Sequence, residues 1–528
     1  MRAQPRPGAA PRFRIDDTKP IWRTLIVFLV PLMLSNILQS ASGTVNSIFL
    51  GRMVGVLSLA AVSSFFPMLF FLISFVIGLS SGSTVLIGQA HGAGNDKRMT
   101  QVAGTTLSLT LLVAVIVGAA GAALSHTILV AVGTPAIILP AAESYARIVF
   151  ISLPVLFAYL VYTAFLRGTG DAKTPFYFLL FSTAANLIVT PAFIGGWAGL
   201  PRLETNGAAV GGIIVNGASF VALLVYLSRT HHALRMDRAM LAALRIDWPT
   251  ARAVVRIGIP TGIQLVMVSL SEIAVISFVN HFGARATAAY GAVNQVVSYV
   301  QFPALSIGIA SSIFGAQSIG ARRNDRLPHI VRAGVGLNYA ISGALILTVY
   351  ALSWEILGLF LVDKATLDIA HELLVITLWS YAIFGNNSVL SGIMRASGTV
   401  LWPTLLSVIS IWGVEVPTAY VLSHRIGLDG VWIAYPVAFI ANLIFQLTYY
   451  LAFWKRREIT ALVDAPGATE PPAQAIDALV DRPGATEPPA QAIDALVDRP
   501  GATEPPPQRI DAPVERPRST EPPPQRID

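Results

Sequence analysis

The amino-acid sequence predicts an all-α integral membrane protein with twelve transmembrane helices, six in each half of the chain. Three observations predict this fold class. The composition is 54% hydrophobic and only 12% charged, twelve apolar stretches are long enough to cross a bilayer, and an internal repeat relates the two halves. A mean hydropathy of +0.64 excludes an ordinary soluble protein. Because the chain has no cysteine, disulfide frameworks, thiolate metal sites and cysteine nucleophiles are excluded as well.

Lysines and arginines fall in the connections between the apolar stretches, 24 on one side of the membrane and 6 on the other. This bias predicts a multi-pass protein of the cell inner (plasma) membrane with both termini in the cytoplasm. It also accounts for the net charge of +7 without a nucleic-acid partner. The predicted spans cover residues 22–50, 57–88, 100–124, 137–166, 174–196, 207–228, 253–281, 286–316, 329–354, 368–394, 401–423 and 430–454.

The internal repeat relates positions whose numbers differ by 228, as those of Gly55 and Gly283 do. An even number of spans returns the chain to its starting side, so the two halves share one orientation and are related by an axis along the membrane normal. The other residues that coincide under this shift include Gln89 with Gln317, Arg167 with Arg395, Gly170 with Gly398, and Pro175 with Pro403.

These patterns divide the chain into five regions. A basic, flexible N-terminus (1–20) precedes the first half (21–230), and a cytoplasmic connector (231–252) leads to the second half (253–455). The tail, 456–528, contains four copies of a 17-residue unit that start at residues 461, 478, 495 and 512. Each copy has an apolar run of three residues or fewer, which cannot bury a core, so the tail is predicted to be disordered and dispensable for folding and transport.

Two glutamates lie deep inside predicted spans. Glu272 follows the last preceding charge, Arg256, by 16 residues, or roughly 24 Å of helix. A carboxylate at such depth usually faces a water-filled cavity and marks an ion or substrate path; the alternative is a neutral carboxyl hydrogen-bonded between packed helices. Glu415 lies ~21 Å into its span, and two roles stay open for it: partner of Glu272 in a two-carboxylate site, or structural hydrogen-bonding group.

Neutral polar residues supply the remaining candidates. Gln264 shares one helix face with Glu272 at about 100° per residue, and such a polar face is expected to line a cavity. Residues of span 8 could complete a site in the second half, while the first half has a neutral polar interior. Interhelical hydrogen bonding explains the polar residues of the first half equally well. The candidates are Gln264, Asn294, Gln295, Tyr299, Asn386, Asn387, Asn46, Asn186 and Thr190.

Several short motifs occur in order and resemble those of the multidrug and toxic compound extrusion (MATE) family. They are SGTVNSIFLGR at 42–52, GQAHGAGN at 88–95, FLRGTGDAKTP at 165–175, MRASG at 394–398 and EVPTAYVL at 415–422. The resemblance covers residues 20–455. It implies two six-helix lobes around a central cavity, alternating access, and exchange of an organic, often cationic compound for H⁺ or Na⁺.

The resemblance also implies roles for individual residues. Glu272 matches the acidic residue that many members carry in the seventh helix. Asn46 and Thr190 stand where members carry aspartates in the first lobe, and Phe384 stands where an acid is expected before Arg395, with Asn386 and Asn387 close by. The first lobe is therefore expected to lack a titratable site.

The sequence as a whole predicts a secondary active antiporter that exports small organic, cationic or amphipathic compounds in exchange for H⁺ or Na⁺. No catalytic constellation or phosphate-binding Walker motif is present, so the chain is expected to be neither an enzyme nor a transporter with an evident ATPase subunit. We expect a monomer that contacts small-molecule substrates and membrane lipids, without nucleic acid and without a cofactor other than the coupling ion; Na⁺ binding at Glu272 is left open. Two alternatives are a lipid-linked oligosaccharide flippase of the same superfamily and an intramembrane enzyme, for which Glu272 and Glu415 lack a nucleophile or metal partner.

Overall fold

The structure, a computed structural model, describes residues 20–463. Helices make up nearly all of this range. In this range eleven helices are long and apolar enough to cross a membrane, and a twelfth span is formed if one bent pair of helices counts as one. The predicted all-α class and span number are thereby confirmed. The predicted flexible N-terminus, up to residue 19, and the tail from residue 464 onward lie outside the described residues.

The spans keep their predicted numbers, and their observed ends lie within five residues of the predicted ones, except that span 3 ends seven residues later than predicted. Short helices lie between some of them, at Arg238–Ala242 in the connector and at Ser353–Gly358 before span 10. The twelve spans are Ile21–Met53, Val56–Gly92, Asp96–Ala131, Leu139–Gly168, Lys173–Gly195, Thr205–Arg229, Trp248–Asn280, Ala284–Gly320, Leu327–Ala351, the pair Lys364–Thr377 and Ser380–Ala396, Leu401–Ile426, and Leu428–Ala452.

Side-chain caps fix where several spans begin. Asn95 accepts the backbone N–H of Arg98 at 3.0 Å and caps span 3. Asp247 accepts the N–H of Thr250 at 3.2 Å and caps span 7. Each cap satisfies one of the N–H groups that a helix start leaves without an intrahelical partner, which matters most next to a bilayer where water is scarce.

Two spans depart from the continuous helices that the sequence predicts. Span 10 bends by 44° between Thr377 and Ser380. There the backbone N–H of Trp379 donates to the Tyr350 hydroxyl at 3.2 Å, and a side-chain oxygen that takes a helix N–H is a known cause of kinks. Span 11 contains a π-helical segment, Ser410–Glu415. Such segments are rare and are often found at functional sites.

The two halves of the chain repeat the same backbone conformations. Gly55 and Gly283 precede spans 2 and 8 with φ of +113° and +96°. Gly170 and Gly398 follow spans 4 and 10 with φ of +90° and +81°. Side chains other than glycine rarely adopt these angles, so equivalent glycines occupy equivalent turns. This supports the duplication predicted from the sequence.

The first lobe (spans 1–6) and the second lobe (spans 7–12) meet at the end of the bundle where span 2 ends and span 7 begins. We call this the connector end, because residues 230–247 lie there. Spans 2 and 7 touch through glycines: a Cβ on Gly78 would stand 2.5 Å from the backbone oxygen of Gly258, and a Cβ on Gly258 would stand 2.8 Å from that of Gly78. The backbones therefore pack directly against each other.

Two glutamines join the lobes at the connector end in a pseudo-symmetric way. The Gln89 side-chain amide donates to the carbonyl of Ala396 at 2.8 Å, and the amide of Gln317 donates to the carbonyl of Gly168 at 3.0 Å. Both donors and both acceptors are related by the repeat offset. A bond from Asn36 to the Ser306 hydroxyl, at 3.1 Å, lies nearer the middle of the bundle. Within residues 20–463, the inter-lobe hydrogen bonds that we find lie between this pair and the connector end, so the structure is closed there.

The packed chain runs past the predicted lobe boundary at residue 455. The Trp454 indole donates to the Ser397 hydroxyl at 3.0 Å, and Val463 is only 3% exposed. Residues 461–463, the first three of the first repeat copy, are therefore partly or fully buried, whereas residues 455–458 are exposed. The sequence missed this because a three-residue apolar run is too short to indicate a packed segment without knowledge of the surface that it meets.

Candidate functional site

The second lobe brings the two predicted carboxylates into electrostatic interaction. Glu415 ends the π-helical segment of span 11 and is 4% exposed. Glu272 lies on span 7, with an exposed side chain, and its charge acts on Glu415. Two interacting acidic groups in one lobe are a strong indication of a cation-binding site, because a low-dielectric environment makes unbalanced charge costly.

Three tyrosines that the sequence did not single out interact with these carboxylates. Tyr290 on span 8 and Tyr381 on span 10 interact electrostatically with both glutamates, and Tyr435 on span 12 interacts with Glu415. The Tyr290 and Tyr435 hydroxyls lie 2.9 Å apart and share a hydrogen bond. All three tyrosines are partly or fully buried within the lobe. Their hydroxyls can donate hydrogen bonds to a carboxylate, and their oxygens can coordinate a cation.

The polar candidates on spans 7 and 8 divide into two groups. Asn294 interacts with the Tyr290 side chain and so belongs to the carboxylate cluster. Gln264 and Gln295 are half-buried, and Tyr299 is exposed and packs edge-on against Phe302. In the part of the chain that the structure describes, no contact that we find joins these last three candidates to the carboxylates.

The two asparagines of span 10 make hydrogen bonds between helices. Asn386 donates to the Tyr339 hydroxyl at 2.7 Å and accepts from Asn338 at 3.1 Å, both on span 9. Asn387 donates to the carbonyl of Phe439 on span 12 at 3.1 Å. These bonds give both asparagines a role in packing between helices.

Three candidates of the first lobe form one hydrogen-bond chain. The Asn186 amide donates to the side-chain oxygen of Asn46 at 3.0 Å. The Thr190 hydroxyl donates to the side-chain oxygen of Asn186 at 2.5 Å. The chain links spans 1 and 5 where the family resemblance would place aspartates. All three side chains are neutral, so the cluster can bind by hydrogen bonding but cannot change charge.

The π-helical segment relates Glu415 to a residue of the first lobe. The separation between Asn186 and Glu415 exceeds the repeat offset by a single position. A π-helical turn holds one more residue than an α-helical one, and this segment ends at Glu415. The insertion therefore gives Glu415 in span 11 the position that Asn186 has in span 5. Each lobe places a polar group there, neutral in the first lobe and acidic in the second.

The described residues contain no group of three or more His, Asp or Glu side chains that could hold a metal ion. Two carboxylates and nearby hydroxyls offer the oxygen ligands that hard cations prefer.

Comparisons with known proteins place this geometry in a family. The MatE family model matches residues 31–192 and 260–421. The two matches start within one residue of the predicted offset. The chain is 51% identical, over 449 residues, to the "Probable multidrug resistance protein YoeA" of Bacillus subtilis, and the match covers 84% of this chain and 97% of that protein. It is 27% identical to the "Probable multidrug resistance protein YpnP" of the same species, over 83% of this chain and 97% of that protein.

The fold agrees with solved structures as well. A crystal structure of a variant of the Vibrio cholerae MATE transporter VcmN superimposes with a TM-score of 0.77 at 20% identity, over 83% of this chain and 98% of that one. The family model, the relatives and the fold agree with one another, and the chain belongs to the MatE family.

Proposed function

We propose that this protein is a secondary active antiporter that exports small organic, cationic or amphipathic compounds in exchange for H⁺ or Na⁺. The observation that carries the proposal is the pair Glu272 and Glu415, two interacting acidic groups inside the second lobe. The relatives named as multidrug resistance proteins support the class of substrate. The chain acts as a transporter rather than as an enzyme.

The carboxylate pair gives a physical basis for exchange. Two negative charges that interact in a low-dielectric region repel each other, so binding of one H⁺ or Na⁺ is favourable. A cationic drug that reaches the same lobe supplies the same positive charge and makes the ion easier to release. Ion and drug then compete through charge, even if they do not occupy the same atoms, and their alternate binding couples the two fluxes.

Alternating access depends on making and breaking the contacts between the lobes. In the proposed orientation the connector end faces the cytoplasm, both termini are cytoplasmic, and the protein works as a monomer in the inner membrane. The described contacts then close the cytoplasmic side, so that the site can exchange with the outside. A return movement must break the contacts of Gln89 and Gln317 to admit drug from the cytoplasm.

The test is drug efflux from vesicles under imposed gradients, with the pH gradient and the Na⁺ gradient applied separately. Glu272→Gln is expected to abolish gradient-driven efflux, because the amide keeps the shape but cannot change charge. Glu355→Gln is the matched control, since Glu355 is exposed in a short helix outside the site. Full efflux by Glu272→Gln would refute the proposed coupling site, and the gradient that drives the parent protein identifies the ion.

The pairing of the carboxylates is tested with Glu415→Gln and with the double variant. If the two groups act as one site, the double variant is expected to lose little more efflux than either single variant. Losses that add in free energy would mean that Glu272 acts alone and that Glu415 has a structural role.

A further inference from the structure

The segment Ile459–Val463, which follows the last span, lies at the connector end and contacts both lobes. The backbone N–H of Leu462 donates to the side-chain oxygen of Gln89 in the first lobe at 2.7 Å. The carbonyl of Ile459 accepts from the Asn324 amide in the second lobe at 2.8 Å. Val463 is 3% exposed. We call Ile459–Val463 the tail latch.

The tail latch joins the contact that closes the connector end. Gln89, which accepts from Leu462, uses its amide to donate across the seam to Ala396 at 2.8 Å. The Leu462 side chain lies against the turn that follows span 10, where its tip is 2.7 Å from the position of a Cβ on Gly398. One fully buried glutamine is thus held by the second lobe and by the tail latch together.

The duplication indicates that the tail latch is a built part of the fold. Under the repeat offset, Ala461 and Leu462 correspond to Ala233 and Leu234 in the connector. Leu234 is fully buried, and its carbonyl accepts from the Tyr162 hydroxyl at 2.8 Å. Each lobe therefore ends in an Ala-Leu segment that packs back on the protein. The connector copy is held by chain on both sides, whereas the tail latch is tethered on one side to the membrane domain.

We propose that the tail latch is a detachable clasp that stabilises the arrangement closed at the connector end, and that it must leave Gln89 before that end opens. Its contacts reach both lobes, so separation of the lobes has to break some of them. Binding energy that exists only in the closed arrangement shifts the equilibrium toward that arrangement. The occupant is the start of the first repeat copy, and other cytoplasmic proteins are not required.

Later repeat copies allow matched controls within the same chain. Ala-Leu-Val recurs at 478–480 and 495–497, whereas the fourth copy has Pro513 at the position of Leu462. Proline has no backbone N–H, so the fourth copy cannot make the bond to Gln89. Val480→Asp is therefore the control for Val463→Asp, because it places the same charge at the same place in the next copy.

The test measures the distance between the lobes in the full-length protein without drug. The chain has no native cysteine, so spin labels can be attached at Lys97→Cys in the first lobe and His329→Cys in the second. Both positions are exposed, at the starts of spans 3 and 9 at the connector end. Double electron–electron resonance then gives the populations of closed and open arrangements. This readout needs no transport, so its failure is distinct from failure of the proposed antiport.

Val463→Asp is expected to lower the ratio of closed to open populations by about tenfold or more, because it places a charge in a buried site. Leu462→Pro, which removes the donor to Gln89, is expected to act in the same direction. Val480→Asp is expected to leave the populations unchanged. A variant with Val463→Asp, Val480→Asp and Val497→Asp prevents the second and third copies from taking the site.

The outcomes decide the proposal. A shift in the combined variant, with or without a shift in Val463→Asp alone, supports a clasp at Gln89, and the difference between them shows whether later copies replace the first. Unchanged populations in both the combined variant and Leu462→Pro would overturn it. An equal shift in Val480→Asp alone would also overturn it, because the effect would then come from the tail as a whole rather than from the tail latch.

Discussion

Gly320→Ala offers a direct test of the seam between the lobes. A Cβ on Gly320 would overlap the backbone oxygen of Gln89, and a Cβ on its equivalent, Gly92, would overlap that of Gln317. An ordinary contact needs about 3.5 Å, and a backbone oxygen cannot turn aside as a side chain can. The lobes must therefore part by more than about 1 Å, which stretches the two glutamine hydrogen bonds, now 2.8 Å and 3.0 Å, to or beyond their useful length.

The size of the effect follows from these terms. Overpacking costs about 1–3 kcal/mol, and each of the two lost hydrogen bonds costs about 0.5–1.5 kcal/mol. The closed arrangement is thus expected to lose about 2–6 kcal/mol relative to the open one. Since 1.4 kcal/mol is about a factor of ten, the ratio of closed to open populations is expected to fall at least about 30-fold.

The spin-label pair at positions 97 and 329 measures this ratio. Gly291→Ala is the matched control, because it lies in the same span and a Cβ there would meet nothing within 4 Å. Its effect is limited to helix propensity, which favours alanine by about 1 kcal/mol. If Gly320→Ala gives the same distance distribution as Gly291→Ala, the close approach at the connector end does not control the closed arrangement.

Two further predictions concern other parts of the chain. Asn46→Ala removes a neutral hydrogen bond worth about 0.6–2 kcal/mol, so efflux is expected to weaken without disappearing; a loss as complete as that of Glu272→Gln would place the coupling in the first lobe. The backbone N–H of Met240 and the side chain of Arg235 hold the pKa of the Asp237 carboxyl below its usual range. The ionised carboxyl therefore stabilises the fold above about pH 4, and this contribution is lost as the pH falls through the lower pKa that Asp237 has in the folded state. Asp237→Asn is therefore expected to lower the unfolding temperature at pH 7, with a difference that narrows in acid; a difference independent of pH would contradict this role.

The arrangement of the spans could be predicted from the sequence because the bilayer imposes it. Each span needs a long apolar run, and each connection carries charge according to its side of the membrane. The pattern of apolar and charged segments along the chain therefore locates the helices. The bend in span 10 could not be predicted in this way. It depends on the Tyr350 hydroxyl, which lies 29 residues before its partner Trp379 in the chain and reaches it only after the helices pack.

The candidate site was only partly predictable for the same reason. A glutamate far from the ends of a membrane span is a strong signal in the sequence, so Glu272 and Glu415 could be identified separately. Their interaction depends on how spans 7 and 11 pack, and on the extra residue of the π-helical segment that sets the position of Glu415. Tyr290 and Tyr435 gave no signal, because tyrosine is common at membrane interfaces and only their mutual hydrogen bond distinguishes them.

The paired glutamine contacts have a consequence for the origin of the fold. Gln89 reaches the end of span 10 while Gln317 reaches the end of span 4. In a twofold dimer of identical subunits, each subunit offers the same patch and every contact occurs twice. The seam has this pattern within one chain. A single ancestral half that carried one such glutamine and one such carbonyl would have formed both bonds on pairing with its own copy. The interface could therefore exist in a dimer before the duplication joined the two halves in one chain.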